Sequence, residues 1–233
     1  MSGILFIISA PSGSGKSTLV NELRKFVPQL EFSVSYTTRP PRGSEQDGRE
    51  YHFIPCAQFE QMINQGDFLE EAQVFGNYYG TAKSVFQDAV RRGNDLLLDI
   101  DVQGERQVKR KVPEAVSIFV LPPSRAELES RLRKRSLSEH VISEEVIARR
   151  LAAARKEIEN YPNYDYILIN DRLEQSVDDL QAIVLGERIE RSGKQPSPQE
   201  KQYLEAAKKC LKSRMEEKIR SILASFDLPP SAQ

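Results

Sequence analysis

Residues 4–18, Ile4-Leu5-Phe6-Ile7-Ile8-Ser9-Ala10-Pro11-Ser12-Gly13-Ser14-Gly15-Lys16-Ser17-Thr18, decide the architecture. An apolar run leads into small residues and then into a helix-like pattern over residues 17–26, which is the order strand, phosphate loop, helix. Small residues let successive backbone N–H groups face one concavity, and the helix that follows adds its positive N-terminal end. Lys16 is placed to reach the outer phosphates and the Ser17 hydroxyl suits Mg²⁺, so residues 10–18 are expected to cradle a nucleoside triphosphate. The loop departs from its motif at the first position, where Ala10 stands in place of glycine. Alanine tolerates negative φ, so the cradle survives unless that position needs φ above zero. A plain turn has no use for Gly-Lys-Ser-Thr at a helix start, because a lysine there opposes the helix dipole unless an anion compensates it.

With 233 residues, 39% of them hydrophobic, the chain suits one large domain or a core with inserted lobes. A net charge of −1 gives no global attraction to nucleic acid or anionic membranes, so neither is expected as a partner and basic chemistry must come from local clusters. Cys56 and Cys210 are the only cysteines, which is no disulfide framework. The N-terminus lacks a secretory pattern, and no apolar run approaches the roughly 20 residues that span a bilayer. The cytoplasm is the expected compartment.

Strand-like runs at residues 4–9, 95–100, 116–121 and 166–169 alternate with helical patterns at 17–26, 103–110, 126–134, 144–160 and 173–190, and such alternation predicts a parallel α/β sheet. Residues 33–93, with short helices near 58–64 and 84–91, are too long for a connection and read as an inserted lobe. A second, arginine-rich helical insertion covers about 125–156. Ser192-Gly193-Lys194-Gln195-Pro196-Ser197-Pro198 reads as a linker. Beyond it Leu204, Ala207, Leu211, Met215, Ile219, Ile222 and Phe226 step by three or four, predicting one helix of about 30 residues with an apolar stripe. That stripe either packs back on the core or joins copies of the chain into a homo-oligomer.

The lobe opens with Ser35-Tyr36-Thr37-Thr38-Arg39-Pro40-Pro41-Arg42, followed by Tyr51 and by Asn77-Tyr78-Tyr79-Gly80-Thr81. Arg39 and Arg42 can clamp a phosphate as donor forks, and tyrosine hydroxyls can complete the cage without adding charge. Alone, the same residues read as a solvated loop whose tyrosines fill a small core. Together with the phosphate loop and Leu98-Asp99-Ile100-Asp101-Val102-Gln103-Gly104, in this order, they resemble the guanylate kinases, over about residues 3–189.

The resemblance implies an α/β phosphate-loop kinase. Its parts would be a parallel-sheet core (1–33, 94–124 and 157–192), a GMP-binding lobe (34–93), a helical lid (125–156) and, beyond the family pattern, a linker and helical extension (193–233). It implies reversible, Mg²⁺-dependent transfer of the γ-phosphoryl group of ATP to GMP, and to dGMP. The family's acceptor-phosphate ligands fall on Arg39, Arg42, Tyr51 and Tyr79, and its guanine ligands on Ser35, Glu70 and Thr81. Asp99 and Asp101 fall near the GMP and the metal's water, Asn170 near the adenine, and Arg131, Arg135 and Arg150 on the transferring phosphoryl group beside Lys16.

The chemistry of these residue types agrees. A carboxylate accepts from guanine N1–H and N2–H₂ and repels the unprotonated N1 of adenine. Glu71 rivals Glu70, since the two read as a helix-end pair of which at most one faces the base. Asp99 ends an apolar strand, where α/β folds bind ligands, and Asp101 lies on the same side; either could serve Mg²⁺ with Ser17 through water, while Asp101 also suits a helix cap. Glu127 with Arg131 and Glu129 with Arg133 could equally be surface pairs spaced by four, and of Arg149 and Arg150 only one can face a site. Asn170 could instead cap a helix. The acceptor phosphate is already ionised near neutral pH, so no general base is required, and His52 and His140 read as surface or packing residues. A protein-binding module of the same fold would lack Lys16 and Ser17, and a kinase for a ribose bisphosphate would lack the base reader.

Overall fold

The computed structural model describes residues 3–74, 76–138 and 143–229; His140 lies outside them. In chain order the elements are β1 (Leu5–Ser9), α1 (Lys16–Leu23), β2 (Leu30–Phe32), β3 (Tyr36–Thr37), β4 (His52–Phe53), α2 (Cys56–Gln65), β5 (Phe68–Val74), β6 (Asn77–Ala82), α3 (Lys83–Arg91), β7 (Asp95–Asp99), α4 (Val102–Lys111), β8 (Val116–Leu121), α5 (Arg125–Ser138), α6 (Glu144–Ile158), β9 (Tyr166–Ile169), α7 (Leu173–Ser192), α8 (Pro198–Lys209) and α9 (Glu216–Ser225). A five-stranded sheet has the order β2-β7-β1-β8-β9, with β2–β7 and β8–β9 parallel, and a four-stranded sheet has the order β4-β3-β6-β5. All six residues of β8 are buried, which is why its sequence is β-branched, aromatic and leucine rather than alternating, save for Ser117, whose N–H and hydroxyl donate to Asp165. The chain divides into two compact units, Met1–Ile7 with Gln29–Val116, and Ile8–Pro28 with Ser117–Gln233.

In the first unit the inserted lobe shares its core with the strands it leaves. Leu69 of β5 and Ala89 of α3 lie in one cluster with Leu96 and Leu98 of β7 and Val108 of α4. Helix α4 is fixed at both ends: Asp101 caps it, and Lys109, Arg110 and Lys111 fill its last turn, where cations suit the dipole. From α4, the Gln107 amide donates to the Glu71 carbonyl (2.8 Å) and accepts from the Glu71 N–H (3.2 Å), and Lys111 Nζ donates to the Phe68 carbonyl (3.0 Å). Residues 70 and 71 therefore lie in a strand, not at a helix end. Phe59 stacks between Phe68 and Tyr78 with ring centroids 4.4 and 5.2 Å away, and His52 packs on Tyr36 at 4.7 Å, so His52 is a packing residue.

In the second unit the predicted single C-terminal helix is two. Helix α8 starts at a capping box, Ser197 with Glu200, and stops at Cys210. Residues 210–212 then pair with β9: Ile167 N–H donates to the Cys210 carbonyl (2.8 Å), Lys212 N–H donates to the Asp165 carbonyl (3.1 Å), and Tyr166 bridges Leu211. The extension thus covers part of the open side of β9, the last strand of its sheet. Of the apolar stripe, Ala207, Met215, Ile219, Ile222 and Phe226 are buried within this unit, and Leu204 and Leu211 are half-buried. The stripe therefore packs back on the chain's own core, and the surface expected to join a second copy is already covered.

Deleting residues 194–233 is expected to strip this cover from α7 and β9 and to lower the melting temperature by roughly 10 °C, since each kcal/mol lost moves it by about 2–4 °C in a chain of this size. Thermal unfolding of the truncated and full-length proteins checks this; equal melting temperatures would contradict it.

Candidate functional site

Glycines 13 and 15 have φ of 92° and 89°, a region that side chains disfavour, whereas Ala10 is not among the non-glycine residues of positive φ. The Ala10 departure therefore leaves the loop intact. A Cβ on Gly15 would lie 2.3 Å from Asn170 Nδ2, and one on Gly13 would lie 2.9 Å from Leu132 Cδ2. The loop is thus closed from behind by the segment after β9 and by α5, whose Leu128 and Leu132 are fully buried. Asn170 Nδ2 donates to the Ser14 carbonyl (2.7 Å), and the Asn170 carbonyl accepts from Arg131 Nη2 (3.0 Å). Asn170 supports the back of the loop. The helix-cap alternative is not the one adopted, because Arg172 occupies the N-cap of α7.

Lys16 is the first residue of α1, with the exposed Ser17 and Thr18 behind it. Arg131 also donates from Nε to Glu127 (2.8 Å), and Arg133 pairs with Glu129 (2.7 Å) and Glu144, so both expected surface pairs form and Arg131 additionally reaches Asn170 behind the glycine-rich loop. Arg135 is exposed near the end of α5; on α6, Arg149 is exposed and Arg150 half-buried. All these donor-side residues belong to the second unit.

The acceptor-side residues belong to the first unit. Ser35 Oγ lies 3.3 Å from Thr81 Oγ1, and Thr81 Oγ1 donates to Glu70 Oε1 at 2.7 Å, joining the three expected guanine ligands in one chain. Glu70 is 5% exposed while Glu71 is half-buried, so the strand's alternation answers which of the pair turns inward. Burial raises the Glu70 carboxyl to about 7 against the Thr81 hydrogen bond, which lowers it, with Asp101 and Glu71 adding repulsion. Gly104 makes room for it, since a Cβ there would lie 3.0 Å from Glu70 Oε2. From α4, Gly104 leaves the carboxylate its space and Gln107 fixes the backbone of the neighbouring Glu71, and sequence alone did not single out either one for that task.

The tyrosines divide between the two tasks that the sequence left open. Tyr36 and Tyr78 join the aromatic core, while Tyr51 and Tyr79 meet edge to face at 5.8 Å beside Arg39, whose guanidinium lies 5.0 Å above the Tyr51 ring. Arg39 is itself 6% exposed and pairs with Glu45, a residue the sequence reading passed over. Arg42 is exposed. Asp99 is exposed at the C-terminal end of β7, and Asp101 accepts from the N–H groups of Gln103 (3.0 Å) and Gly104 (2.8 Å), so its expected capping role is present.

A glycine-rich phosphate loop in an α/β sheet and, in an inserted lobe, a desolvated carboxylate and a separate cluster of arginine and tyrosine side chains define a nucleotide-binding protein of the phosphate-loop class. The family model described as guanylate kinase matches residues 2–187. The guanylate kinase of Koribacter versatilis is 60% identical over 226 residues, 97% of each chain, and that of Methylobacillus flagellatus is 50% identical over 82% of this chain and 93% of its own. The crystal structure of guanylate kinase from Anaplasma phagocytophilum superposes with a TM-score of 0.64 at 33% identity, covering 80% of this chain and 86% of that one. The chain belongs to the guanylate kinase family.

A carboxyl whose folded value lies above its ordinary 4.5 binds its proton more tightly in the folded state, so it weakens the fold as pH rises from 4.5 to about 7 and does so fully above that. That shift corresponds to about 3 kcal/mol. Glu70→Gln is therefore expected to be more stable than the parent at pH 8, by up to about 3 kcal/mol, with most of the difference gone at pH 4.5. Urea unfolding at both pH values checks this; a gap that does not change with pH would contradict it.

Proposed function

We propose that this chain transfers the γ-phosphoryl group of ATP to GMP, and to dGMP, releasing ADP and GDP. The observation that carries the choice of acceptor is the chain from Ser35 through Thr81 to the desolvated Glu70 carboxylate. Guanine offers that carboxylate two donors, N1–H and N2–H₂, which return the hydrogen bonds its burial removed; adenine presents a bare N1 and leaves it unsatisfied. The bound base favours the ionised form of Glu70.

Residues 10–18 would hold the triphosphate through backbone N–H groups and Lys16, with Asn170 supporting the loop from behind. Arg39, Arg42, Tyr51 and Tyr79 would hold the GMP phosphate. That phosphate carries its own negative oxygen near neutral pH, so it can attack without a base. Arg131, Arg135 and Arg150 would neutralise the charge that spreads over the equatorial oxygens. The exposed Ser17 hydroxyl is a hard oxygen donor of the kind Mg²⁺ takes, and Asp99 or Asp101 would serve the metal through water. Bound with the nucleotide, Mg²⁺ neutralises phosphate charge. No helix of the described residues is long and apolar enough to cross a membrane, and Cys56 and Cys210 are both free; these support the cytoplasm as the compartment.

Lys16→Ala is expected to abolish turnover with an unchanged melting profile. Glu70→Ala is expected to retain catalysis at a reduced rate and to lower the ratio of kcat/KM for GMP over AMP by roughly a hundredfold or more, the scale set by an unpaired polar group in a base pocket. An unchanged GMP preference in the Glu70 variant would refute the base-reading role.

A further inference from the structure

The Arg39 guanidinium is buried, and Glu45 is the carboxylate that pairs with it, with the Tyr79 hydroxyl a weaker further partner. Glu45 Oε2 accepts from Nη1 at 2.7 Å and Glu45 Oε1 accepts from Nη2 at 2.8 Å, a bidentate pair, while Nη1 also donates to the Pro40 carbonyl at 3.0 Å. The same Oε2 accepts from the Arg42 backbone N–H at 2.8 Å, and Glu45 N–H donates to the Arg42 carbonyl at 3.0 Å. One carboxylate therefore fixes the direction of the first arginine's fork and the backbone of the second. The arginine pair pulls the Glu45 carboxyl down to about 2, so it remains charged throughout the working range.

A guanidinium has two edges that can pair bidentately with an oxyanion. Glu45 occupies the Nη1–Nη2 edge, which leaves the Nε–Nη2 edge as the one a phosphate can take without displacing it. The guanidinium carbon lies over the rings of Tyr51 and Phe53, 5.0 and 5.6 Å from their centroids, which adds cation–π contacts to its fixed position. We propose that Glu45 is the positioning residue of the acceptor-phosphate clamp: it presents the Nε–Nη2 edge of Arg39, and the turn that bears Arg42, to the phosphate of the acceptor nucleotide without touching that phosphate. This rests on Arg39 being a phosphate ligand. It differs from a merely structural ion pair because its effect is confined to acceptors that carry a phosphate.

The test is steady-state kinetics of Glu45→Gln, Arg39→Ala and the double variant, with guanosine as a competitive inhibitor that carries the base and no phosphate. Glu45→Gln is expected to raise KM for GMP about tenfold to a hundredfold, the loss typical of a misaligned clamp, while kcat, KM for ATP and the inhibition constant of guanosine stay within about threefold of the parent. In the Arg39→Ala background the same substitution is expected to raise KM for GMP by less than it does alone, the remainder being the share carried through the Arg42 turn. A fall in KM for GMP, or a guanosine constant that rises in step with it, overturns the proposal. If Arg39→Ala leaves KM for GMP unchanged, the clamp reading beneath it fails instead. Glu45→Asp, whose shorter carboxylate cannot span both Nη atoms from the same backbone, gives the same reading with charge retained: KM for GMP raised with guanosine unaffected supports the proposal, and an unaltered KM opposes it.

Discussion

No atom can be added to the phosphate loop at residues 13 and 15. Both glycines sit at positive φ, and a methyl group on either would run into the side chains of Leu132 or Asn170. The residues that close over the loop are the same ones that position Arg131 and Arg135. Leu128 and Leu132 seat α5 against the loop, and one turn of that helix away from each lies Arg131 or Arg135. Asn170 joins the Ser14 carbonyl on one side to Arg131 on the other. A loop shaped by its need to expose backbone N–H groups thereby fixes where the first arginines of the expected lid begin.

The acceptor half follows a different rule, in which charge is deliberately kept from water. Glu70 is a buried carboxylate held by Thr81 with no cation among the groups acting on it, and it weakens the fold above neutral pH. Such an arrangement is poor for stability and good for selection, because a base with two adjacent donors relieves it and a base without them does not. Arg39 is the opposite case, a buried cation already matched by Glu45 and aromatic faces. The site combines one charge that awaits its partner with another held ready by a permanent one.

Much of the fold was legible because long apolar runs leave a strong pattern. The runs at residues 116–121 and 166–169 became β8 and β9 with the same bounds, and Asp101 capped α4 as its position suggested. The lobe's sheet was not legible: β3 and β4 are two residues each, with β3 paired to partners 16 and 42–44 residues away, and the polar Glu70-Glu71 pair inside β5 breaks the alternation that marks a strand, so it read as a helix end. The break between α8 and α9 carries no proline or glycine, and residues 210–212 leave the helix because β9 offers them hydrogen bonds, which no local pattern reports. In the site, residue types with distinctive chemistry stood out, whereas Gly104, Gln107 and Glu45 act by shape and by holding others. Their spacing to Glu70 and Arg39 exists only in the folded chain.

The most direct measurement is ADP formation with Mg-ATP against GMP, AMP, CMP, UMP and ribose 1,5-bisphosphate in parallel. The account predicts rapid turnover with GMP and little with the other four. Equal turnover of AMP and GMP, or turnover of the ribose bisphosphate alone, would contradict the reading of Glu70 as the group that selects guanine.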